Sequence, residues 1–344
     1  MSFRFFDDLR FGGIGAALRR IFWACAVILC CLGSPTQAAG IQLFNGSSGW
    51  SGAIWYPCLL GKPAHVELGD LALLVDYDLQ GVKDCPLIIA RSKLPLVVFS
   101  HGTNGWFGGH HDTAATLADA GFVVAAINHP GDSAKDNARS GDLSVFASRP
   151  ADMVRLIDFM LNDWKGKAVI DPARIGLFGF SMGGYTSLAL IGAAPDYARV
   201  ARGCTAATRF CEQIRSETRI PPTDGRVRAA VIADPPSGFF TKDNLAAIKI
   251  PVQFWRAELA TPTVDVDPQG TARLARSLPG KPDIHNVPAS HFVFLAPCSP
   301  QLAAAVPRIC TDAPTGFDRT AFHREFNASV IGFFREQLVD GSTR

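Results

Sequence analysis

Arg174-Ile175-Gly176-Leu177-Phe178-Gly179-Phe180-Ser181-Met182-Gly183-Gly184 joins an apolar, strand-like half to a helix-favouring half. A G-x-S-x-G pentapeptide stands at the join. A serine hydroxyl is a poor nucleophile at neutral pH. It must stand clear of its surroundings, beside a base and beside donors for an oxyanion. A sharp strand-to-helix turn provides that exposure. Glycines at 179 and 183 are expected because side chains there would collide with neighbouring strands. The pentapeptide alone is a common match, and its setting between strand and helix is what makes it informative.

Outward from this run, strands and helices alternate. Apolar runs at 95–100, 122–128, 174–178, 227–233 and 251–255, with a weaker one at 283–287, read as strands. Helical spacing appears at 111–120, at 151–164 (Met153, Ile157, Met160, Leu161) and at 318–338. Apolar runs without alternation mean strands covered on both faces. The expected architecture is therefore α/β, a mostly parallel central sheet with helices on either side. Residues 41–94 read as an antiparallel start to the same sheet. The connection at 194–226 is too long for an ordinary loop. It reads either as a lid-like insertion beside the site or as a surface excursion pinned by a disulfide.

The N-terminus reads as a targeting segment. Arg4, Arg10, Arg19 and Arg20 precede the apolar run Ile21–Leu32, and Thr36-Gln37-Ala38 reads as a cleavage site. That is a secretory signal, with an apolar run too short for a comfortable membrane span. Arg19-Arg20 lacks the Ser or Thr that precedes a twin-arginine pair, so the general secretory route is expected. An export destination outside the cytoplasm, periplasmic or extracellular, follows. Cutting after Ala38 leaves 306 of the 344 residues, enough for one large α/β domain. The signal removes four of 33 basic and two of 31 acidic side chains, leaving 29 of each. A formally neutral chain of this kind carries no basic stripe for nucleic acid. Six cysteines remain: Cys58, Cys85, Cys204, Cys211, Cys298 and Cys310. An even number in an exported chain implies disulfides, and six allow 15 connectivities. Sequential pairing is preferred because Cys204/Cys211 and Cys298/Cys310 each bracket a short loop. No C-x-x-C and no Cys/His cluster points to a metal, and no phosphate or dinucleotide loop points to a cofactor.

If Ser181 is the nucleophile, an acid and then a histidine should follow it in the chain. His285 alternates within a strand and reads as structural. His291 lies in the loop Pro288-Ala289-Ser290-His291-Phe292, beyond a strand end, where a base belongs. The acid should leave a strand end near that histidine. Asp234 is preferred, with Glu258 and Asp265 kept open. The oxyanion needs two N–H donors. Met182, after the nucleophile, supplies one. Thr103, in the H-G-x-x-G loop His101-Gly102-Thr103-Asn104-Gly105, supplies the other. His110-His111-Asp112 reads as a helix start near the pocket mouth, and His129-Pro130-Gly131-Asp132 as a turn that shapes the cleft.

Taken with Trp55-Tyr56-Pro57, Phe99-Ser100-His101-Gly102, Gly121-Phe122-Val123-Val124-Ala125-Ala126 and His291-Phe292, these motifs span residues 53–295. They resemble the α/β-hydrolases that join platelet-activating-factor acetylhydrolases, of the plasma and type II intracellular forms, to bacterial predicted dienelactone hydrolases. The resemblance implies an α/β-hydrolase fold and a Ser-Asp-His esterase that removes short acyl chains without calcium. It also implies an acid placed after the strand before the usual one, which favours Asp234, and oxyanion donors at Thr103 and Met182. Dienelactone hydrolases use a cysteine nucleophile, so Ser181 argues against that reaction. The expectation is an exported serine ester hydrolase acting on a small ester or phospholipid-like substrate, without a cofactor. A lipase or polyester hydrolase on the same triad, a non-catalytic binding protein on this scaffold, and a peptidase are the alternatives. Contact with a lipid surface and the oligomeric state are not legible.

Overall fold

The computed structural model describes residues 38–343, apart from 47–49, 60, 88–91, 206, 262–263 and 265. The expected signal segment, save Ala38, and the alternative acid Asp265 lie outside the described residues. Among the described residues ten strands form one sheet: β1 (Ala38–Asn45), β2 (Ser51–Cys58), β3 (Ala64–His65), β4 (Gln80–Lys83), β5 (Leu94–Ser100), β6 (Val123–Asn128), β7 (Ile170–Phe180), β8 (Val227–Ala233), β9 (Val252–Ala257) and β10 (Asp283–Val287). Their spatial order is β10-β9-β8-β7-β5-β6-β2-β1-β4-β3. Neighbours from β10 across to β6 are parallel. β2 runs antiparallel to both β6 and β1.

The fully apolar strands divide their side chains between two cores, as a sheet covered on both faces requires. Leu96, Val98, Leu177 and Ile232 point into one core, and Val97, Phe99, Phe178 and Val231 into the other. Five longer helices cover the faces: α1 (His111–Asp119), α2 (Ser144–Asn162), α3 (Met182–Leu190), α4 (Pro268–Ser277) and α5 (Arg319–Leu338). α2 and α3 lay Met153, Leu156 and Leu188 on the first core. α1 and α5 lay Leu117, Phe326 and Phe334 on the second. Each such side chain, fully buried, contributes roughly 1.5–3 kcal/mol of transfer free energy. Asp318 starts α5 by accepting the Ala321 N–H at 2.8 Å, the ordinary N-cap bond of an aspartate.

Two readings of the sequence are corrected. Residues 41–94 are not wholly antiparallel: β4 pairs parallel to β1, with Gly40 opposite Val82. α2 begins at Ser144, well before Ala151, and carries Pro150 inside it. Proline reads as a stop because it removes one intrahelical bond. Here Val145, Phe146 and Arg149 are buried, and their packing holds the turn that precedes it. β1 begins at Ala38, so the last residue before the expected cut is already paired, with Cys58.

The cysteines pair sequentially, Cys58–Cys85, Cys204–Cys211 and Cys298–Cys310. The second bridge ties together two short helices of the long connection, Tyr197–Gly203 and Arg209–Ile214.

Candidate active site

The carboxyl ends of β5, β7, β8 and β10 gather at one edge of the sheet, where open α/β sheets bind ligands. Ser181 follows β7 and precedes α3, with φ +55° and ψ −121°. That left-handed backbone is costly for a residue with a Cβ, and such strain collects at functional turns. Its N–H donates to the Ala233 carbonyl at 2.8 Å, which anchors the turn to β8. The expected clash with a neighbouring strand holds for Gly183, whereas Gly179 is confined by the helix. A Cβ on Gly179 would lie 2.2 Å from the Gly183 carbonyl oxygen and the Ser187 Oγ, both on α3. A Cβ on Gly183 would lie 1.9 Å from the Ser100 carbonyl oxygen. Helix and strand approach so closely that only glycine leaves room.

His291 opens the single turn His291–Phe294 after β10. Its Nδ1 lies 2.6 Å from the Asp234 Oδ2, and both side chains are almost wholly buried. Its own N–H donates to Thr261 Oγ1 at 2.9 Å, and its ring lies tilted against Phe180 at 4.6 Å between centroids. Asp234 leaves the end of β8 with φ +45°. Its Oδ1 accepts the Ala257 N–H at 3.0 Å, and its N–H donates to the Trp255 carbonyl at 2.8 Å. A carboxylate held this way fixes the imidazole's orientation. Glu258 faces elsewhere, half exposed, toward Arg256 at 3.3 Å. His285 stacks on Trp255 at 3.9 Å and bonds Asp283, a structural role.

The loop after β5 shows how a main-chain donor is aimed. The Gly102 carbonyl accepts from the Gly105 N–H at 3.1 Å, from His101 Nδ1 at 2.7 Å and from Arg149 Nη2 at 3.0 Å. In a trans peptide the C=O and the following N–H point in opposite directions. Drawing the Gly102 carbonyl inward therefore turns the Thr103 N–H outward. Neither that N–H nor the Met182 N–H has an acceptor among the described residues. The Met182 N–H also stands at the first turn of α3, where the helix dipole favours negative charge.

Arg149, fully buried on α2, braces this loop. Its Nη1 donates to the His101 carbonyl at 2.7 Å, and its Nε lies 2.9 Å from Asp132 Oδ2. Asp132 Oδ1 accepts the Asn104 N–H at 3.1 Å. His101 Nε2 accepts the His129 N–H at 3.1 Å, so its proton sits on Nδ1. Burial, with Arg149 beside it, holds that imidazole neutral, well below the ordinary histidine range. The sequence reading missed Arg149. The available signal was an arginine four residues before Met153 on the apolar face of a helix, a charge that has to be paired if it is buried.

Of the His110-His111-Asp112 triplet, His110 and Asp112 bond within the protein, and His110 and His111 border the cavity that Ser181 and His291 line. His110 Nδ1 bonds the Phe294 carbonyl at 2.9 Å. Asp112 Oδ2 lies 2.6 Å from His323 Nδ1 and accepts from Asn327 Nδ2 at 2.9 Å.

Two cavities meet at Ser181. The first, about 410 Å3, is bounded by Ser181, His291, Trp106, Phe292, Leu295 and Arg308. The second, about 670 Å3, is bounded by Ser181, Met182, Phe146, Phe239 and, from the long connection, Arg199 and Phe210. Thr103 borders both. The 194–226 segment thus supplies wall to the cleft.

Residues 92–219 match the family described as serine aminopeptidase, S33. That stretch holds the β5 loop and the Ser181 turn, and it ends before Asp234 and His291. A ferulic acid esterase from Streptomyces cinnamoneus superposes with a TM-score of 0.59, at 17% identity, over 89% of this chain and 91% of that one. The strand order and this likeness are those of the α/β-hydrolase fold.

Proposed function

We propose that this α/β-hydrolase is an exported serine ester hydrolase, a short-chain carboxylesterase resembling the platelet-activating-factor acetylhydrolases. Ser181 is its nucleophile, His291 its base, Asp234 the acid that orients the base, and the Thr103 and Met182 amides its oxyanion donors. The observation that carries the reading is the buried 2.6 Å His291–Asp234 bond in the cleft that the left-handed Ser181 also lines. His291 Nε2 takes the Ser181 proton as Oγ attacks the ester carbonyl. The tetrahedral oxyanion rests on the two amides. The bond to the alcohol oxygen breaks, and that oxygen leaves with the proton from His291. Water, deprotonated by the same imidazole, then cleaves the acyl-enzyme and releases the acid. No step calls for a cofactor.

A peptidase that grips a free amino terminus needs carboxylates to receive an ammonium group. Among the described residues that bound the two cavities, Asp267 is the single carboxylate, and Arg273 already pairs with it at 3.1 Å. That charge balance favours esters over aminopeptidase substrates. Export agrees with three disulfides, which persist in oxidising compartments.

The test is hydrolysis of p-nitrophenyl esters from acetate to palmitate, beside Ser181→Ala and an aminoacyl-p-nitroanilide. The expected result is strong turnover of short esters, none by the variant, and none of the anilide. Preference for long chains would shift the reading to a lipase or polyester hydrolase. Inertness of the wild type on every ester, with Ser181 untouched by a fluorophosphonate, would leave a binding protein on a hydrolase scaffold.

A further inference from the structure

We infer that the cavity bounded by Met182 is the acyl subsite, and that it selects acyl chains ending in a carboxylate. The inference rests on the ester-hydrolase reading, because it depends on which group leaves. In acyl transfer the base that deprotonated the nucleophile hands its proton to the departing alkoxide oxygen. The alcohol therefore lies on the His291 side of Ser181. His291 borders the smaller cavity and not the larger one. The larger cavity, reached past Met182, is left for the acyl chain.

Its walls carry two kinds of side chain. Phe146, Phe210 and Phe239 supply apolar surface, enough to cover a run of methylenes. Three cations border the same space from three separate elements: Arg199 from the Tyr197–Gly203 helix, Lys242 from the Lys242–Leu245 helix, and Arg273 from α4. Arg273 is balanced by Asp267, which lies 3.1 Å from it and caps α4. Arg199 and Lys242 pair with no carboxylate among the described residues. The net charge around the cavity is therefore about two positive. A neutral alkyl chain would make no use of it, whereas a chain with a terminal carboxylate would lay its methylenes on the aromatic wall and its anion between the cations. Arg199 and Phe210 both belong to the 194–226 segment stapled by Cys204–Cys211, which gives that insertion a role in specificity.

Exposed cation–carboxylate contacts are individually weak, a factor of about two to five each. Two acting together should yield a preference of about tenfold. The experiment compares mono-p-nitrophenyl esters of adipic and suberic acid with the same chains capped as ω-carboxamides, at low and at high salt. The expected result is a kcat/KM ratio, carboxylate over carboxamide, of about ten for the better length at low salt. That ratio should fall toward one at high salt and in the Arg199→Gln/Lys242→Gln double variant. Both positions are exposed on short helices, so these variants test recognition and not folding. A ratio of one or less in the wild type, with brisk carboxamide turnover, overturns the subsite and leaves the esterase. A preference that survives both high salt and the double variant also overturns it. No turnover of either ester counts against the esterase reading itself.

Discussion

Two chains of serine, histidine and aspartate run through this molecule, and only one of them opens on a cleft. In the outer one, Asp234 holds His291 at 2.6 Å, and His291 and Ser181 line the same cavity. In the inner one, Ser100 Oγ lies 2.9 Å from His129 Nε2, and His129 Nδ1 lies 3.0 Å from Asp152 Oδ2. By residue type and bond length the inner set is a complete triad. Yet Ser100 and His129 are fully buried. Ser100 ends a regular strand, with no sharp turn to present its hydroxyl. Burial also works against ionisation there. It raises the Asp152 carboxyl to about 6 and holds His129 well below the ordinary histidine range. The inner set instead supports the loop above it, through the His129 N–H on His101. A nucleophile is made by access, turn geometry and oxyanion donors as much as by its hydrogen-bond partners.

The sharpest way to break this contrast is to remove each serine. Ser181→Ala should lower kcat on a short p-nitrophenyl ester by about 10^4-fold or more. Ser100→Ala should leave kcat within about threefold and cost about 1–2 kcal/mol in urea unfolding, because His129 Nε2 loses its buried partner. Equal losses of activity in the two variants would defeat the assignment. Amidation of each acid comes next. Asp234→Asn is expected to reduce kcat by about 10^3- to 10^4-fold, since it leaves the imidazole in the wrong tautomer. Asp152→Asn should change kcat less than threefold. A ranking in the opposite order would make the inner chain the catalytic one.

A smaller effect belongs to the brace beneath the oxyanion loop. Arg149→Met should cut kcat by about 10^2-fold with KM within about twofold. The affinity of a trifluoromethyl ketone, which forms an oxyanion on Ser181, should fall by the same factor. A variant that merely loosens the fold would instead lose thermal stability while keeping the ratio of ketone affinity to kcat unrelated. Should Arg149→Met fail to fold, Asp132→Asn tests the same brace. It keeps an acceptor for the Asn104 N–H and removes the charge that holds Arg149.

The smallest effect is on the pH dependence of stability. Asp152 holds its proton more tightly folded than unfolded, to about pH 6 against an ordinary 3.8. The native state therefore gives up stability as pH rises from about 4 to about 6, by at most about 3 kcal/mol. Asp152→Asn removes that loss. Relative to wild type, its urea midpoint should stand higher at pH 7 than at pH 4.5. A difference between the two proteins that is the same at both pH values would show that burial does not strain this carboxyl.

Much of this architecture was legible in the linear chain because its signals are local. Runs such as Leu96–Phe99 and Ala229–Ala233 read as doubly covered strands, and both core assignments follow from their alternation. The Ser181 turn is written in its glycines, the β5 loop in His101-Gly102, and two of the three disulfides in short cysteine spacings. Errors arose where distant packing overrode local preference. Pro150 sits within α2 because neighbours on either side of it are buried, and β4 joins β1 in parallel through a pairing with no short-range signal.

The sequence by itself determined which residue types stand at the ends of the strands: a glycine-rich loop, a serine, an aspartate and a histidine, in that order. Only the tertiary structure decided which of them work together. It set Asp234 against His291 and turned Glu258 toward Arg256. It put Ser100 and His129 in the core despite their triad-like bonds. It drew Arg149 beneath the Gly102 carbonyl from about fifty residues away. The physical reason is that a hydrogen bond across 57 residues, such as His291 to Asp234, depends on where whole strands lie in the sheet, and no local spacing encodes that.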